Sequence, residues 1–309
     1  MVTAVYTHAD FAAHQNPLGH PERAARMQAV AAGLEGIALD LREPPLGADG
    51  DILRCHPARY LARVRAAEPG PRGLFRFDAD TTMAHGSLNA ALRGVGGACA
   101  ALDAVIAGAV ANAFVACRPP GHHAERETAM GFCILGHVAI AAKRALEVHG
   151  LTRVAIVDFD VHHGNGTQDL IWDEARCLFI SSHQMPLYPG SGAATERGAH
   201  GQIVNVPLAE GGDGAVMRAA YETQVFPALE AFRPEVLLIS AGFDAHADDP
   251  LAGLLWQAED FGWLTGRLCD MAARHCGGRV VSCLEGGYDL AALTLSVAAH
   301  VSVLEERGR

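Results

Sequence analysis

The 309-residue sequence contains no C-x-x-C pair, so it lacks the usual spacing of a thiolate metal site or a redox dithiol. Its eight cysteines (55, 99, 117, 133, 177, 269, 276, 283) fall mostly inside apolar runs, where reduced core thiols are expected rather than disulfides. The first residues, Met1–His8, show no basic segment leading into an apolar one. No secretory leader is expected there, and the chain reads as cytoplasmic. Charge blocks, low-complexity tracts, fixed-period repeats and linkers are missing too, which argues for one domain over residues 1–309. Basic residues are in deficit, with 24 Lys+Arg against 35 Asp+Glu and a net charge of −11. That balance speaks against nucleic-acid binding through the phosphate backbone. The most apolar stretch, Ala98–Ala116, carries Asp103, Gly108 and Asn112. It is a poor membrane span and a better buried helix running into a strand.

What is present is an alternation. Apolar runs at Ala4–Tyr6, Ala113–Cys117, Val154–Phe159, Cys177–Ser182, Ile203–Val206, Val236–Ala241 and Arg279–Leu284 have the continuous apolarity of strands covered on both faces. Between them the spacing predicts helices at Pro21–Glu35, Ser87–Ala109, Ile134–His149, Thr167–Trp172, Gly214–Phe232, Ala258–Cys276 and Asp289–Val303. Pro21 suits a first helical position, and Ser87, Asp213 and Asp289 suit N-caps. Such alternation implies an α/β fold with a mostly parallel, doubly wound sheet, whose site lies beyond the carboxyl ends of the strands.

The motifs fall at such ends. Asp158-Phe-Asp160-Val-His162-His163-Gly-Asn165 follows a strand, and a period of two sends Asp158, Asp160 and His162 to one side. Asp160, His162 and Asp244, the last from Ser240-Ala-Gly-Phe-Asp244, make a chemically sensible zinc-type ligand set of two carboxylates and one imidazole. D-x-D also serves magnesium-dependent phosphoryl transfer, and aspartates at strand ends also cap helices. His122 and His123 follow Arg118-Pro-Pro-Gly, a turn that lifts both rings from the sheet, and either can serve as a general base. Asp158 and Asn165 can each accept a hydrogen bond from a histidine N–H and fix its tautomer. His163, out of phase with His162, reads as a structural histidine. Tyr288, in Leu284-Glu-Gly-Gly-Tyr288, can donate to a developing oxyanion.

In this order the motifs resemble the histone deacetylase superfamily, specifically its class II-like bacterial deacetylases and amidohydrolases. The resemblance is carried by Arg118–Ala124, Gly131-Phe-Cys133, Asp158–Thr167, Ser240–Asp244, Asp249-Pro-Leu251 and Leu284–Tyr288, and it spans nearly the whole chain. It implies the arginase/deacetylase fold, a single domain with a mostly parallel sheet of about eight strands and helices on both faces. It also implies a zinc-dependent hydrolase, with ferrous iron as an alternative metal in the cell, that removes acetyl groups from lysine-like amines. By resemblance, Asp160, His162 and Asp244 hold the metal, His122 and His123 are the catalytic pair with Asp158 and Asn165 as partners, and Tyr288 stabilises the oxyanion. Asn165 stands where many class I members carry Asp. Gly131 and Phe132 would wall the substrate tunnel, with Tyr188 opposite and Asp80 and Leu251 at its rim. A structural potassium ion would be held around Asp158, Asp160, His162, Ser181 and Ser182. Arg23 would line an internal product channel.

The implied substrate is an acetylated lysine in a protein or peptide, with an acetylpolyamine or other small acylated amine as the alternative. Leu251 favours the first, because polyamine-selective relatives place a Glu there. Neither nucleic acid nor membrane is an expected partner, and the oligomeric state is left open. A metal-binding interaction module without chemistry is a rival reading, opposed by the presence of both histidines and Tyr288 beside three ligands.

Overall fold

The apolar runs become strands, and the computed structural model, which describes residues 1–309, joins eight of them in one sheet. In chain order these begin with β1 (Thr3–Tyr6) and β2 (Leu39–Arg42). A separate antiparallel hairpin follows, β3 (Leu74–Arg76) and β4 (Thr82–Ala84). The sheet then continues with β5 (Asn112–Val115), β6 (Val154–Asp158), β7 (Cys177–Gln184), β8 (Ile203–Leu208), β9 (Val236–Ala241) and β10 (Val280–Leu284). The spatial order is β2-β1-β5-β10-β9-β6-β7-β8, and every neighbouring pair is parallel.

Residues of β5, β6, β7, β9 and β10 are buried throughout, as strands covered on both faces must be. The covering helices pack in two groups. Ser87–Ile106 lies against His137–Glu147, while Ala258–Cys276 packs on Leu290–Gly308, which also touches Ala25–Gly33. One continuous apolar core results, and all eight cysteines are free and buried within the fold. No helix is long and apolar enough to cross a membrane.

Several local expectations need correction. The helix expected from Pro21 starts only at Ala25. Ser87 is the first residue of its helix rather than its cap: Gly86 (φ 94°) takes that place, and the Ser87 hydroxyl accepts the Ala84 N–H instead. The expected helix Gly214–Phe232 is interrupted by a π-helical turn at Tyr221–Val225. Pro227 lies in the first turn of the helix that resumes at Phe226. Lacking an N–H, it cannot continue the regular α-helical ladder of the preceding segment, and the wider turn absorbs the mismatch. Asp213 and Asp289 do cap their helices, accepting the N–H groups of Ala215 and Val216 and of Ala292.

The arrangement places the site. β5, β10, β9 and β6 are successive neighbours at the middle of the sheet, so the segments leaving their carboxyl ends converge.

Candidate active site

Beyond β6 and β9, Asp160, His162 and Asp244 bring one ligand atom each to within 4.8 Å of one another. His162 Nδ1 stands 3.1 Å from Asp160 Oδ1 and 3.1 Å from Asp244 Oδ2. The other oxygens are held from behind: Gly286 N–H donates to Asp160 Oδ2 at 2.8 Å, and Val161 N–H to Asp244 Oδ1 at 2.9 Å. Each carboxylate therefore presents one fixed oxygen to a common point. Gly242 and Gly286 allow this closeness, since a Cβ on either would collide with these carboxylates. Two buried anions and an imidazole aimed at one point suit a divalent cation of the zinc type, with room for further ligands from the cleft.

The two histidines after β5 differ in their partners. His122 Nδ1 pairs with Asp158 Oδ2 at 3.0 Å, and its Nε2 lies 3.7 Å from Asp160 Oδ2. Burial pushes Asp158 up to about 7. For His122 burial works the other way, but Asp160 and Asp158 outweigh it and raise the ring to about 10. The shared proton belongs on His122. His123 is held well below the ordinary imidazole value by burial and by the neighbouring His122 and His162. Its Nδ1 pairs with Asn165 Oδ1 at 2.7 Å. The amide is oriented by Glu125, whose Oε1 accepts from Asn165 Nδ2 at 2.8 Å. Asn165 thus presents its oxygen, His123 carries its proton on Nδ1, and Nε2 is left as the basic nitrogen.

His123, His162 and Tyr288 line the floor of a cavity of about 420 Å³, walled by Gly131, Phe132, Leu187 and Tyr188, with Asp78, Asp80 and Leu251 also in its lining. The wall depends on an unusual backbone. Gly131 and Phe132 both have positive φ, 55° and 69°, and a Cβ on Gly131 would strike the His123 ring. Thr81 Oγ1 accepts the Phe132 N–H at 3.1 Å and helps hold this turn. Tyr188 stands edge-on to His123, ring centroids 5.2 Å apart. The Tyr288 ring lies between the Arg26 guanidinium, 5.0 Å away, and Phe132, 5.8 Å away. Burial and the nearby Asp244 raise its phenol well above the ordinary value, so it stays protonated and able to donate.

Other expected site residues are placed less centrally. Ser181 lies opposite Asp158 in the β6–β7 register, but its hydroxyl pairs with His183 and that of Ser182 with Tyr221. Asp80 is exposed, and its carbonyl accepts from the His20 ring at 3.0 Å. His163 is satisfied by Ser191 and Gln168, as a structural histidine should be. Arg23 is a correction: it is exposed. The internal position belongs to Arg26, which donates to Gly287 O at 2.7 Å, Glu285 O at 2.5 Å and Glu22 Oε1 at 3.2 Å. A guanidinium can be buried only where acceptors converge, and they converge on Arg26. Sequence reasoning also passed over Glu125, Asp249, Glu285 and His137. Asp249, the first residue of Asp249-Pro-Leu251, is buried, and its carboxylate accepts the Tyr288 N–H at 2.7 Å and the Leu251 N–H at 3.0 Å.

A family model described as a histone deacetylase domain matches residues 20–304. The chain is 42% identical over 274 residues to the histone deacetylase-like amidohydrolase of Pseudomonas aeruginosa, covering 87% of this chain and 71% of that protein. It is 39% identical over 300 residues to a probable deacetylase of Archaeoglobus fulgidus, covering 94% and 82%. Its fold matches the crystal structure of the HDA15 HD domain with a TM-score of 0.93 at 33% identity, over 99% of this chain and 90% of that one.

Proposed function

The chain belongs to the histone deacetylase family, and on that footing we propose that it hydrolyses N-acetyl amides, with acetyl-lysine side chains of proteins or peptides as the leading substrate. The observation that carries this reading is the hydrogen-bonded chain Glu125–Asn165–His123, which fixes the His123 tautomer. The Glu125–Asn165 relay leaves the His123 Nε2 basic at the floor of a cavity that His162, of the Asp160–His162–Asp244 cluster, and Tyr288 also line. A divalent cation on that cluster, zinc in this reading, would supply the Lewis acidity that polarises the amide carbonyl and acidifies water.

The side chains divide the remaining work. His123 takes the proton of the attacking water and delivers it to the departing amine. Tyr288 donates its hydroxyl to the carbonyl oxygen as negative charge grows there. His122, cationic between Asp158 and Asp160, offsets the carboxylates beneath the reacting atoms. Gly131, Phe132 and Tyr188 fit an alkyl chain between them, and the apolar Leu251 leaves that edge without a partner for a second ammonium. Asp158, Asp160, His162, Ser181 and Ser182 are the proposed surroundings of a potassium ion.

Asp80 supports a second reading, a small acetylated polyamine, because its exposed carboxylate borders the cavity. The test is one zinc-loaded sample assayed with an acetyl-lysine peptide, longer acyl-lysine peptides and acetylspermidine. The acetyl-lysine peptide should give the highest kcat/KM. A preference of roughly tenfold or more for acetylspermidine, about 1.4 kcal/mol in transition-state binding, would transfer the assignment to the second reading. No turnover of any acetylated amine by the zinc-loaded protein would sink both.

A further inference from the structure

Behind the His122–His123 turn lies a buried charge pair that this mechanism does not use. Glu285 leaves the end of β10 wholly buried. Its Oε2 accepts the N–H of Gly121 at 2.6 Å and of His122 at 3.2 Å. Its Oε1 accepts the Ser240 hydroxyl at 3.2 Å and lies 3.3 Å from His137 Nε2. His137 opens the helix His137–Glu147. Its ring fills the space beside Gly121, where any Cβ would collide with it. The same Nε2 is 3.6 Å from Cys117 Sγ, at the start of the turn. β9 itself, the segments following β5 and β10, and the N-terminus of one helix therefore meet on a single carboxylate.

Without Glu285, two buried N–H groups of the turn have no acceptor. Without His137, the carboxylate loses its neighbouring cationic donor. Burial opposes charge on both groups, yet the pair holds Glu285 below the ordinary carboxylate value, and Cys117 and Glu285 hold His137 above the ordinary imidazole value. The turn needs such an anchor because both rings must meet partners on another segment at once: His122 with Asp158, and His123 with Asn165.

We propose that Glu285 and His137 are positioning residues for the His122–His123 turn, acting through the backbone N–H groups of Gly121 and His122. The kinetic arm of the test rests on the amide-hydrolase reading; the structural arm does not. Glu285→Gln and His137→Gln each keep a hydrogen-bonding group in place, whereas Glu285→Ala and His137→Leu remove one.

Amide exchange of the peptide containing Gly121 and His122 should rise roughly tenfold or more in Glu285→Ala while the β6 peptide is unchanged. With metal content measured on each sample, kcat per metal-loaded site on an acetyl-lysine peptide should fall roughly 10²-fold in Glu285→Ala and roughly tenfold in His137→Leu. KM should stay within about twofold, the pattern of misplaced reacting groups. His137→Gln should recover most of the loss seen in His137→Leu. Unchanged exchange at the turn, or an unchanged rate per metal-loaded site in Glu285→Ala and His137→Leu, overturns the proposal. If Glu285→Ala does not fold, His137→Leu takes its place in the exchange arm, where exchange at the turn should again rise, and His137→Leu against His137→Gln decides the kinetic one. If wild type turns over no acetylated amine, the exchange arm still stands.

Discussion

An amide at position 165 does for His123 what a carboxylate does for His122, with one charge fewer. Asn165 Oδ1 fixes the Nδ1 proton without adding the negative charge by which Asp158 helps raise His122, and burial with the neighbouring His122 and His162 holds His123 toward its neutral form. Two adjacent rings, centroids 4.0 Å apart, thereby take opposite protonation states. In the proposed mechanism Tyr288 is the complementary donor. Tyr288→Phe should keep its metal and its KM while kcat drops roughly 10²–10³-fold, the scale for losing one oxyanion donor. An unchanged kcat, with chemistry shown to limit the rate, would remove the phenol from the mechanism. In the proposed mechanism Asp244 serves the ion rather than the transition state. Asp244→Ala leaves one carboxylate and one imidazole, too few protein ligands to retain a dication, so zinc and turnover should disappear together after dialysis. Full zinc occupancy by atomic emission in that variant would refute the ligand assignment.

At the scale of elements, legibility followed continuity of pattern. β9 and the helix Ala258–Cys276 have the bounds expected from sequence, because a continuous apolar run and a long amphipathic stretch ending at Gly277 leave few alternatives. β2 was missed. Leu39-Asp-Leu-Arg42 is a short edge strand with no fully buried residue, and its pairing with β1 is decided across thirty-odd intervening residues that no local signal reports. The hairpin β3–β4 and the helix Ala58–Ala66 were missed as well, among closely spaced arginines, prolines and glycines that read as loop. The same logic separates the site residues. Asp160, His162, His122 and His123 sit in dense local motifs, whereas Glu285 and His137 acquire meaning only through partners distant in sequence, and Arg26 through Gly287 and Glu285 as well as its neighbour Glu22. Capping was legible where the side chain had an N–H to accept and no competing partner. Asp213 meets that condition with two N–H groups. Asp213→Ala should lower stability by about 0.5–2 kcal/mol in urea denaturation with the m-value unchanged, and a loss below about 0.3 kcal/mol would mean that Asp260 and Arg218, beside the same turn, already hold it.

At the scale of the whole molecule, the first 26 residues are tied to the active-site loops by charge as well as by β1. Glu22 is fully buried and meets Arg118 Nη2 at 2.7 Å, Arg26 Nη1 at 3.2 Å, His14 Nε2 at 3.4 Å and Asn16 Nδ2 at 2.7 Å. Arg118 also donates to Phe11 O and His14 O, and Arg26 to the carbonyls of Gly287 and Glu285. Burial alone would raise the Glu22 carboxyl. Arg118 and His14 outweigh it, and the group lies well below its ordinary 4.5. A carboxylate with a depressed folded pKa contributes stability that is fully present above the unfolded value and is lost as pH falls toward the folded one. Glu22→Gln preserves shape but strands two buried guanidinium groups, a loss of about 3–5 kcal/mol for a broken buried pair. The stability difference between wild type and Glu22→Gln should therefore be constant from neutral pH down to about 4.5 and should narrow below it, as protonation makes the wild-type side chain resemble the amide. Urea denaturation of both proteins across that range measures the difference directly. A gap that stays undiminished at about pH 3, where the unfolded carboxyl is already protonated, would mean that the folded and unfolded carboxyls titrate together and would refute the depressed pKa of Glu22. A gap absent at neutral pH would show that the two arginines are satisfied by their backbone carbonyls, leaving Glu22 without a role in joining the N-terminal segment to the sheet.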